Sequence, residues 1–207
     1  MKILNLYAGI GGNRKLWQDV EVTAVEYNEE IAMIYKDHFP NDNVIVADAN
    51  KYLLENYKDF DFIWSSPPCQ THSKVRMMAS KSGSYAVKMP EMKLWQEIIF
   101  LQNFFDGKWV VENVKPYYEP LVNPTIELGR HLFWANFKIR KETIEDGLTH
   151  NERGMSHKSF FDLRKYKMKH RKDQIIRNCV NPDLGLYILE QARGIIRQKK
   201  TNQVSLF

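Results

Sequence analysis

The stretch DFIWSSPPCQTHSK, at residues 61–74, carries the side chain best suited to chemistry, the thiol of Cys69. Two prolines precede this thiol. Because proline fixes φ and denies the chain a helix, they present Cys69 on a stiff turn after a strand. The second cysteine, Cys179, lies in IIRNCVNP with no reactive residue beside it in sequence. The two contexts predict a nucleophile at Cys69 and a structural thiol at Cys179.

A glycine-rich turn and a series of acids mark the amino-terminal half. The turn LYAGIGGNRKLW, at residues 6–17, would let a ligand approach the backbone and would leave amides free at a helix start. Taken alone, it also fits an ordinary tight connection. Glu26 and Asp48 close the next two predicted strands, and Tyr27 is placed to stack on a base. Polar residues at consecutive strand ends predict a nucleoside-type cofactor.

Strand-like and helix-like segments alternate up to about residue 140, and these elements must position the thiol. Five apolar runs predict strands. Helices are predicted between them, including one at residues 13–20 (NRKLWQDV). This alternation implies a parallel sheet covered on both faces, with ligands bound at its carboxyl edge. The predicted strand ends are Gly9, Glu26, Asp48, Ser66 and Glu112. Cys69 falls in this row.

Four motifs resemble those of the C5-cytosine DNA methyltransferases. YAGIGG is similar to the cofactor loop of that family, and SPPCQTHS to its Pro-Cys nucleophile motif. VVENV, at residues 110–114, is similar to its Glu-Asn-Val motif, and NCVNP to the last motif before its closing helix. They occur in family order over nearly the whole chain. The related amino-group methyltransferases carry an aromatic residue after Ser-Pro-Pro, so Cys69 favours carbon over nitrogen methylation.

The resemblance implies S-adenosylmethionine as cofactor, double-stranded DNA as substrate, and no metal. Cys69 would add to C6 of a cytosine flipped out of the duplex, which makes C5 able to take the methyl group. Glu112 would bind the N3/N4 edge, and its pKa is expected to be raised with base bound. Arg130 would bind O2, and Asn113 would brace the loop. The cofactor residues carried over are Tyr7, Ala8, Gly9, Gly11, Gly12, Glu26, Tyr27, Asp48, Ala49, Pro67 and Asn178.

The fold implied is α/β: a Rossmann-like S-adenosylmethionine-dependent methyltransferase fold with a very small carboxyl-terminal lobe. We predict a catalytic core at residues 1–140 and a reduced target-recognition region at 141–174. A closing helix at 175–197, opened by Asn181-Pro182, and a flexible tail at 198–207 would follow. The usual Gln-x-Arg-x-Arg motif is reduced here to LGRHLFW, which offers only Arg130. The adjacent His131 is expected to be a packed or solvated imidazole.

The positive charge is concentrated in the second half of the chain. The net charge of +5 is modest, but residues 158–172 (KSFFDLRKYKMKHRK) are basic with interleaved aromatics. Solvated helix faces and nucleic-acid-binding surfaces both have this pattern. Because only about residues 142–173 remain for base readout, we expect short or relaxed specificity and strongly salt-dependent binding. The expected phosphate contacts are Arg164, Lys165, Lys167, Lys169, Arg171 and Lys172. Residues 74–88 are expected to form a mobile loop that closes over DNA.

The last five residues, QVSLF, resemble the bacterial sliding-clamp-binding peptide Gln-x-Ser/Asp-Leu-Phe. A short extended peptide that ends in Leu-Phe suits a hydrophobic groove, and tethering to a clamp would raise the effective concentration at DNA. The residues concerned are Gln203, Val204, Ser205, Leu206 and Phe207. The alternative is a frayed tail.

The totals are those of one globular domain: 207 residues, 43% of them hydrophobic. We see no membrane span and no signal peptide, so a cytoplasmic protein without a membrane partner is expected. We predict a small, phage-type DNA (cytosine-5) methyltransferase that modifies DNA broadly. The alternatives are a tRNA cytosine-5 methyltransferase, or a catalytically silent DNA- or clamp-binding protein on the same scaffold. A nicotinamide-dependent oxidoreductase fits poorly, because the glycine spacing differs.

Overall fold

A computed structural model describes residues 1–143, 148–151, 154–157 and 160–196. The strands are β1 (Lys2–Leu6), β2 (Glu21–Glu26), β3 (Asn43–Val46), β4 (Phe62–Ser65), β5 (Lys108–Val114), β6 (Ile126–Leu128), β7 (His131–Ala135), β8 (Leu148–Asn151) and β9 (Gly154–His157). The helices are α1 (Glu29–His38), α2 (Ala49–Asn56), α3 (Lys74–Lys81), α4 (Lys93–Phe104), α5 (Lys172–Arg177) and α6 (Pro182–Ala192).

Seven of these strands form one sheet in the order β3-β2-β1-β4-β5-β7-β6. The first five are parallel to one another, and β7 runs antiparallel to both β5 and β6. The two remaining strands, β8 and β9, pair only with each other, as a small hairpin. The predicted mostly parallel sheet is therefore confirmed.

Helices cover both faces of the sheet because successive strand residues point to opposite sides. On one face, Ile3 and Trp64 pack in a cluster that includes Tyr187 of α6. On the other face, the neighbouring residues Leu4 and Ile63 pack with α2 and α4. Continuous apolar strands of this kind are expected where both faces are buried.

Helix starts follow ordinary capping rules. The side chain of Asn28 accepts a hydrogen bond from the Ile31 amide at 3.1 Å and caps α1. Asn181 accepts one from the Asp183 amide at 2.7 Å, with Pro182 in the first turn of α6. The predicted Asn181-Pro182 start is confirmed. Within the predicted closing segment at 175–197, this helix is α6, and the residues before it hold the end of α5 and a break at residues 178–181.

The helix predicted at residues 13–20 is absent from this described segment, which forms turns instead. Tertiary contacts hold it in this form. Asn13 is buried and donates to the side chain of Asn5 at 2.8 Å, and the Trp17 indole donates to the carbonyl of Gly185 at 3.0 Å. These side chains reach into the core and to α6, and a short polar segment has little helical preference with which to compete.

The loop predicted at residues 74–88 contains a helix, α3, over its first half. All residues of α3 are described, and none is buried. Val75 and Met78 are 75% and 65% exposed, and Arg76 lies over the ring of Tyr85 at 4.3 Å. The segment after the thiol is therefore an exposed helical arm rather than an irregular loop. Among the described residues, no helix has the length and apolar character that crossing a membrane requires.

The basic segment at residues 160–179 packs on the outside of the core. Phe161 and Leu163 join Ile34 of α1 and Ile10 of the glycine-rich loop in a third apolar cluster. Residues 144–147, 152–153, 158–159 and 197–207 lie outside the described part. The tail prediction, including Gln203–Phe207, and part of the predicted recognition region therefore stay predictions.

Candidate active site

The strand register brings the loops after β1, β2, β4 and β5 to one edge of the sheet. Leu6 pairs with Ser65, and Ser65 pairs with Val111, so these strands reach the same level. The sequence predicted Glu112 at the end of a strand. Because β5 continues to Val114, Glu112 lies inside the strand instead. It stands one residue beyond the level of Ser65, where the diproline loop begins.

The diproline loop is tied down on both sides of the thiol. Asn113 donates from Nδ2 to the carbonyl of Pro67 at 2.8 Å, and its own Oδ1 accepts from the Val114 amide at 3.0 Å. After the thiol, the amides of His72 and Ser73 both donate to the carbonyl of Cys69, at 3.0 and 3.1 Å. Two hydrogen-bonded anchors therefore limit how far the Cys69 backbone can move.

Cys69 lies within electrostatic reach of the other two predicted catalytic side chains. The thiol is free and partly buried. Burial raises the pKa of Cys69 to about 11, with a further increase from the charge of Glu112 and an opposing effect from Arg130. The structure therefore brings these three residues into one site. Because the thiol is protonated at neutral pH, the thiolate must form as attack begins.

Glu112 is a buried carboxyl group, 6% exposed. Burial raises the pKa of Glu112 to about 7, while a hydrogen bond from Ser66 and the charge of Arg130 act in the opposite direction. Ser66 in turn accepts from the Trp64 indole at 2.8 Å, which fixes its hydroxyl. A carboxyl group with this pKa is present in both protonation states near neutral pH and can therefore donate as well as accept a proton.

His131, expected to be a packed or solvated imidazole, is buried next to Glu112. Strand β7 pairs His131 with Val114, and this places its ring diagonally across from Glu112 on the same sheet face. The His131 Nε2 lies 3.5 Å from Glu112 Oε1. Burial lowers the pKa of His131 to about 3, so the ring is neutral. Its Nδ1 has no hydrogen-bond partner among the described residues. The only sequence signal is its place beside Arg130.

Arg130 joins the site to the carboxyl-terminal helices. Its Nη2 donates to the carbonyl of Arg177 at 3.0 Å, at the end of α5. The buried Nε has no hydrogen-bond partner among the described residues. The guanidinium is thus held beside Cys69 and Glu112 with donor capacity left for a ligand, as its predicted role requires.

The glycine-rich loop and Glu26 form the cofactor side of the edge. The amide of Gly9 donates to Glu26 Oε2 at 3.0 Å, and the amide of Asn28 donates to Oε1 at 2.9 Å. Burial raises the pKa of Glu26. Gly9 has a φ of +56°, and a Cβ built there would meet open space among the described residues. A ligand can approach this backbone, and Glu26 retains lone pairs for hydroxyl groups.

The last motif, NCVNP, packs directly on the glycine-rich loop. A Cβ on Gly12 would lie 2.5 Å from the Val180 carbonyl and 2.9 Å from the Cys179 Cβ, so only glycine fits. Asn178, predicted to bind the cofactor, is exposed at the end of α5 and next to this contact. Residues that are more than 160 positions apart in the sequence therefore meet at the glycine-rich loop.

The remaining predicted cofactor residues differ in their exposure and in the hydrogen bonds that their side chains already make. Asp48 caps α2 by accepting from the Lys51 amide at 3.0 Å, and it also accepts from Lys93 Nζ at 3.3 Å; the cap lowers its pKa. Tyr27 is 78% exposed at the end of β2, with its ring available for stacking. Three residues are buried in the edge itself: Ala8, Ala49 and Pro67. Two others, Gly11 and Tyr7, have positive φ.

The predicted phosphate contacts fall into two groups. Three of them pair with carboxylates: Arg164 with Asp162 at 2.8 Å, Lys165 with Asp37 at 2.6 Å and Arg171 with Asp173 at 2.8 Å. For the other three, no ion pair occurs within the described residues; they are Lys167, Lys169 and Lys172. Exposed ion pairs are weak, so both groups remain available to a polyanion, with the second less neutralised. The part of the chain that is described also contains no cluster of three metal-binding side chains.

Comparison with known proteins identifies related sequences. The family model of the C-5 cytosine-specific DNA methylase matches residues 1–122. A tRNA (cytosine(38)-C(5))-methyltransferase from Spodoptera frugiperda is 34% identical over 80 residues, covering 35% of this chain and 24% of that protein. The tRNA (cytosine(38)-C(5))-methyltransferase from Homo sapiens is 26% identical over 117 residues, covering 50% of this chain and 30% of that protein.

The chain thus spans about a quarter to a third of the length of these curated relatives. Among solved structures, a Spodoptera frugiperda DNMT2 mutant is 26% identical with a TM-score of 0.40, covering 55% of this chain and 35% of that one.

Proposed function

Because this chain belongs to the C-5 cytosine-specific DNA methylase family, we propose that it methylates C5 of cytosine in a nucleic acid through a covalent adduct with Cys69. Its mostly parallel sheet with helices on both faces is the Rossmann-like fold of S-adenosylmethionine-dependent methyltransferases. The observation that carries the proposal is the hydrogen bond between the two motifs: Asn113, next to the buried Glu112, donates to the Pro67 carbonyl at 2.8 Å, two residues before Cys69.

The two side chains divide the proton transfers between them. As the Cys69 sulfur bonds to C6 of cytosine, the thiol proton passes to solvent water. Protonated Glu112 donates its own proton to N3, which neutralises the charge that develops there. C5 then becomes nucleophilic enough to accept a methyl group, which it is not in free cytosine. After C5 has been methylated, solvent water removes the C5 proton, the C6–S bond breaks to release Cys69 as thiolate, and N3 returns its proton to Glu112, so that the aromatic ring is restored. Arg130 would hold O2 and oppose rotation of the base.

S-Adenosylmethionine would supply the methyl group, and the carboxyl edge fits its adenosyl part. Glu26 would accept hydrogen bonds from the ribose hydroxyls, and Gly9 leaves room for the ligand beside the backbone. Tyr27 would cover the base. The Asp48 carboxylate already caps α2, so its contribution would be limited to a remaining lone pair.

We propose duplex DNA as the substrate. The support is the family model of the C-5 cytosine-specific DNA methylase, which matches residues 1–122. A flipped cytosine is required because C5 and C6 are inaccessible inside a stacked duplex. The second candidate substrate is tRNA, which is favoured by one specific observation: the curated relatives cited above act on tRNA cytosine 38.

Parallel assays separate these substrates. The purified full-length chain is incubated with S-adenosylmethionine and either unmethylated duplex DNA or tRNA, and 5-methylcytosine is located by bisulfite sequencing. We expect methylation of duplex DNA at a short motif and none with Cys69→Ser. Methylation confined to tRNA would establish the second candidate. Cofactor binding without methylation of either would leave a silent scaffold protein.

A mechanism-based substrate tests covalent catalysis. Duplex DNA containing 5-fluorocytosine should trap an adduct with Cys69, because fluorine cannot leave C5 as a proton does. The adduct should survive denaturing electrophoresis and be absent with Cys69→Ser. An active enzyme that forms no adduct would exclude the covalent route.

A further inference from the structure

A buried carboxyl group that the chemistry above does not use lies under the cofactor edge of the sheet. Glu97, in the second turn of α4, is 1% exposed. Its Oε1 accepts hydrogen bonds from the Tyr7 hydroxyl and from Asn50 Nδ2, the latter at 3.2 Å, and its Oε2 accepts one from the Ser65 hydroxyl at 2.6 Å. Burying a carboxylate is costly unless donors surround it, and three donors converge here.

The three donors come from three elements that meet at the cofactor edge. Tyr7 follows β1, Ser65 ends β4 and Asn50 lies in the first turn of α2. Strands β1 and β4 are neighbours whose onward connections leave in opposite directions, and ligands of open α/β sheets bind at such a point. Asn50 also follows Ala49 directly, and Ser65 stands two residues before Pro67. Every donor therefore lies within two residues of a predicted cofactor residue in the sequence.

Tyr7 shows what the carboxyl group holds in place. Its φ of +55° lies in the left-handed region, which is unfavourable for an L-residue. Burial and the charge of Glu97 raise the pKa of the Tyr7 hydroxyl, so it stays a neutral donor. The hydrogen bond to Glu97 thus fixes the side chain of a residue whose backbone is in an unfavourable conformation, at the start of the glycine-rich loop.

Packing alone does not explain a carboxyl group at this position. The other buried residues of α4 are apolar: Leu94, Trp95, Ile98 and Leu101. A leucine at residue 97 would continue that face without any desolvation of charge. The carboxyl group is matched instead to its three donors, since it accepts from each of them.

We infer that Glu97 is a positioning residue of the cofactor site. It ties the loop after β1, the start of α2 and the end of β4 together, and so sets the crevice in which the adenosyl part of S-adenosylmethionine binds. The inference rests on the proposed function, because that function assigns this cofactor to this edge.

Calorimetric titration of the full chain with S-adenosylhomocysteine tests the inference. Glu97→Leu leaves the Tyr7 hydroxyl and the Asn50 amide without their acceptor, and should weaken binding by about tenfold or more. Glu97→Gln keeps one oxygen for those two donors and turns its amide to the Ser65 oxygen, so it should restore binding to within about threefold of wild type. Tyr7→Phe should weaken binding by about threefold and add nothing further in the Glu97→Leu background.

Gln191→Leu is the matched control. Gln191 is a buried polar residue of α6 that accepts from the Arg140 amide at 3.3 Å and donates to the Ile195 carbonyl at 3.2 Å, away from the cofactor edge. This variant should lose thermal stability yet bind S-adenosylhomocysteine as wild type does. In steady-state assays, Glu97→Leu should raise the KM for S-adenosylmethionine while the KM for nucleic acid and kcat stay unchanged.

The outcomes separate this inference from the proposed function. If wild type does not bind S-adenosylhomocysteine, the cofactor assignment itself fails. If wild type binds it and Glu97→Leu binds equally well, or if Gln191→Leu weakens binding to the same extent, only the role of Glu97 is overturned. Should Glu97→Leu fail to fold, unchanged affinity in Tyr7→Phe overturns the inference, and the expected threefold loss supports it.

Discussion

The two cysteines of this chain share a raised pKa but have opposite surroundings. Burial raises the pKa of Cys69 to about 11 and that of Cys179 to about 12. Cys69 lies on a diproline loop within reach of Glu112 and Arg130. Cys179 lies in an apolar cluster and donates from its sulfur to the Ile175 carbonyl at 3.4 Å. The comparison teaches that neighbouring groups able to move a proton, rather than the resting pKa, distinguish a nucleophile from a packed thiol.

The largest expected difference is between the two variants in which one cysteine is replaced with serine. Cys69→Ser should lower methyl transfer to below about a thousandth of wild type, because the weaker hydroxyl nucleophile does not add to C6, while S-adenosylhomocysteine still binds. Cys179→Ser should cost about 1 kcal/mol of stability and retain methyl transfer. Transfer of tritium from methyl-labelled S-adenosylmethionine measures methyl transfer, and thermal melts measure stability. Equal activity losses in both variants would contradict the contrast.

The pH dependence of single-turnover adduct formation should report the group that accompanies Cys69. The reactive form has Glu112 protonated and Cys69 ionised. Below pH about 7 both groups are protonated, and one proton must be lost to give the reactive form, so the rate should rise about tenfold per pH unit. Between pH about 7 and 11 the two groups together hold one proton, as they do in the reactive form, so the rate should not change with pH. Glu112→Gln should remove the break near 7. A wild-type rate that keeps rising from pH 7 to 9 would contradict the role of Glu112.

Stability should also follow the ionisation of Glu112. Its pKa in the folded protein is raised above the ordinary value of 4.5 to about 7, so ionisation disfavours the native state. The free energy of unfolding should therefore fall by about 3 kcal/mol as pH rises from 4.5 to 7, and change no further from this group above that. Urea unfolding of wild type and Glu112→Gln at each pH isolates this contribution. A difference between them that does not vary with pH would contradict it.

A smaller effect is expected from loosening the loop that carries Cys69. Asn113→Ala removes the hydrogen bond to the Pro67 carbonyl, and should lower kcat by about tenfold through misplacement of the thiol. The matched control is Asn136→Ala, at the other end of β5, where Asn136 accepts from the Trp109 amide at 3.0 Å and donates to the Gly107 carbonyl at 2.8 Å. That variant should lose comparable stability and keep its kcat. Similar kcat values in the two would show that the loop needs no brace.

Local patterns predicted the elements whose preferences agree with their surroundings. The alternation of apolar runs predicted the parallel sheet, and Asn181-Pro182 predicted the start of α6. Predictions were wrong where tertiary contacts override weak local preference. Residues 13–20 form turns because Asn13 and Trp17 bond to distant groups. The helix at Lys74–Lys81 is a different case, because none of its residues is buried and tertiary packing therefore does not account for it.

Only part of the candidate site could be predicted from the sequence. Motifs pointed to Cys69 and Glu112, because the residue types themselves carry the chemistry. The contact of His131 with Glu112 was not predicted, since it depends on the antiparallel register of β5 and β7. Glu97 was missed for a related reason. One acid in an amphipathic helix is ordinary, and only the packing of α4 shows that it accepts from three separate elements.

The resemblance of four sequence motifs to those of the C5-cytosine DNA methyltransferases predicted the reaction class, and the residues that carry the motifs, including the thiol of Cys69 and the acid Glu112, can be found in the sequence alone. The tertiary structure decided the proton balance. A carboxyl group near Cys69 gains a pKa of about 7 only when strands far apart in sequence close over it and exclude water. Desolvation depends on the whole fold, and no stretch of sequence encodes it alone.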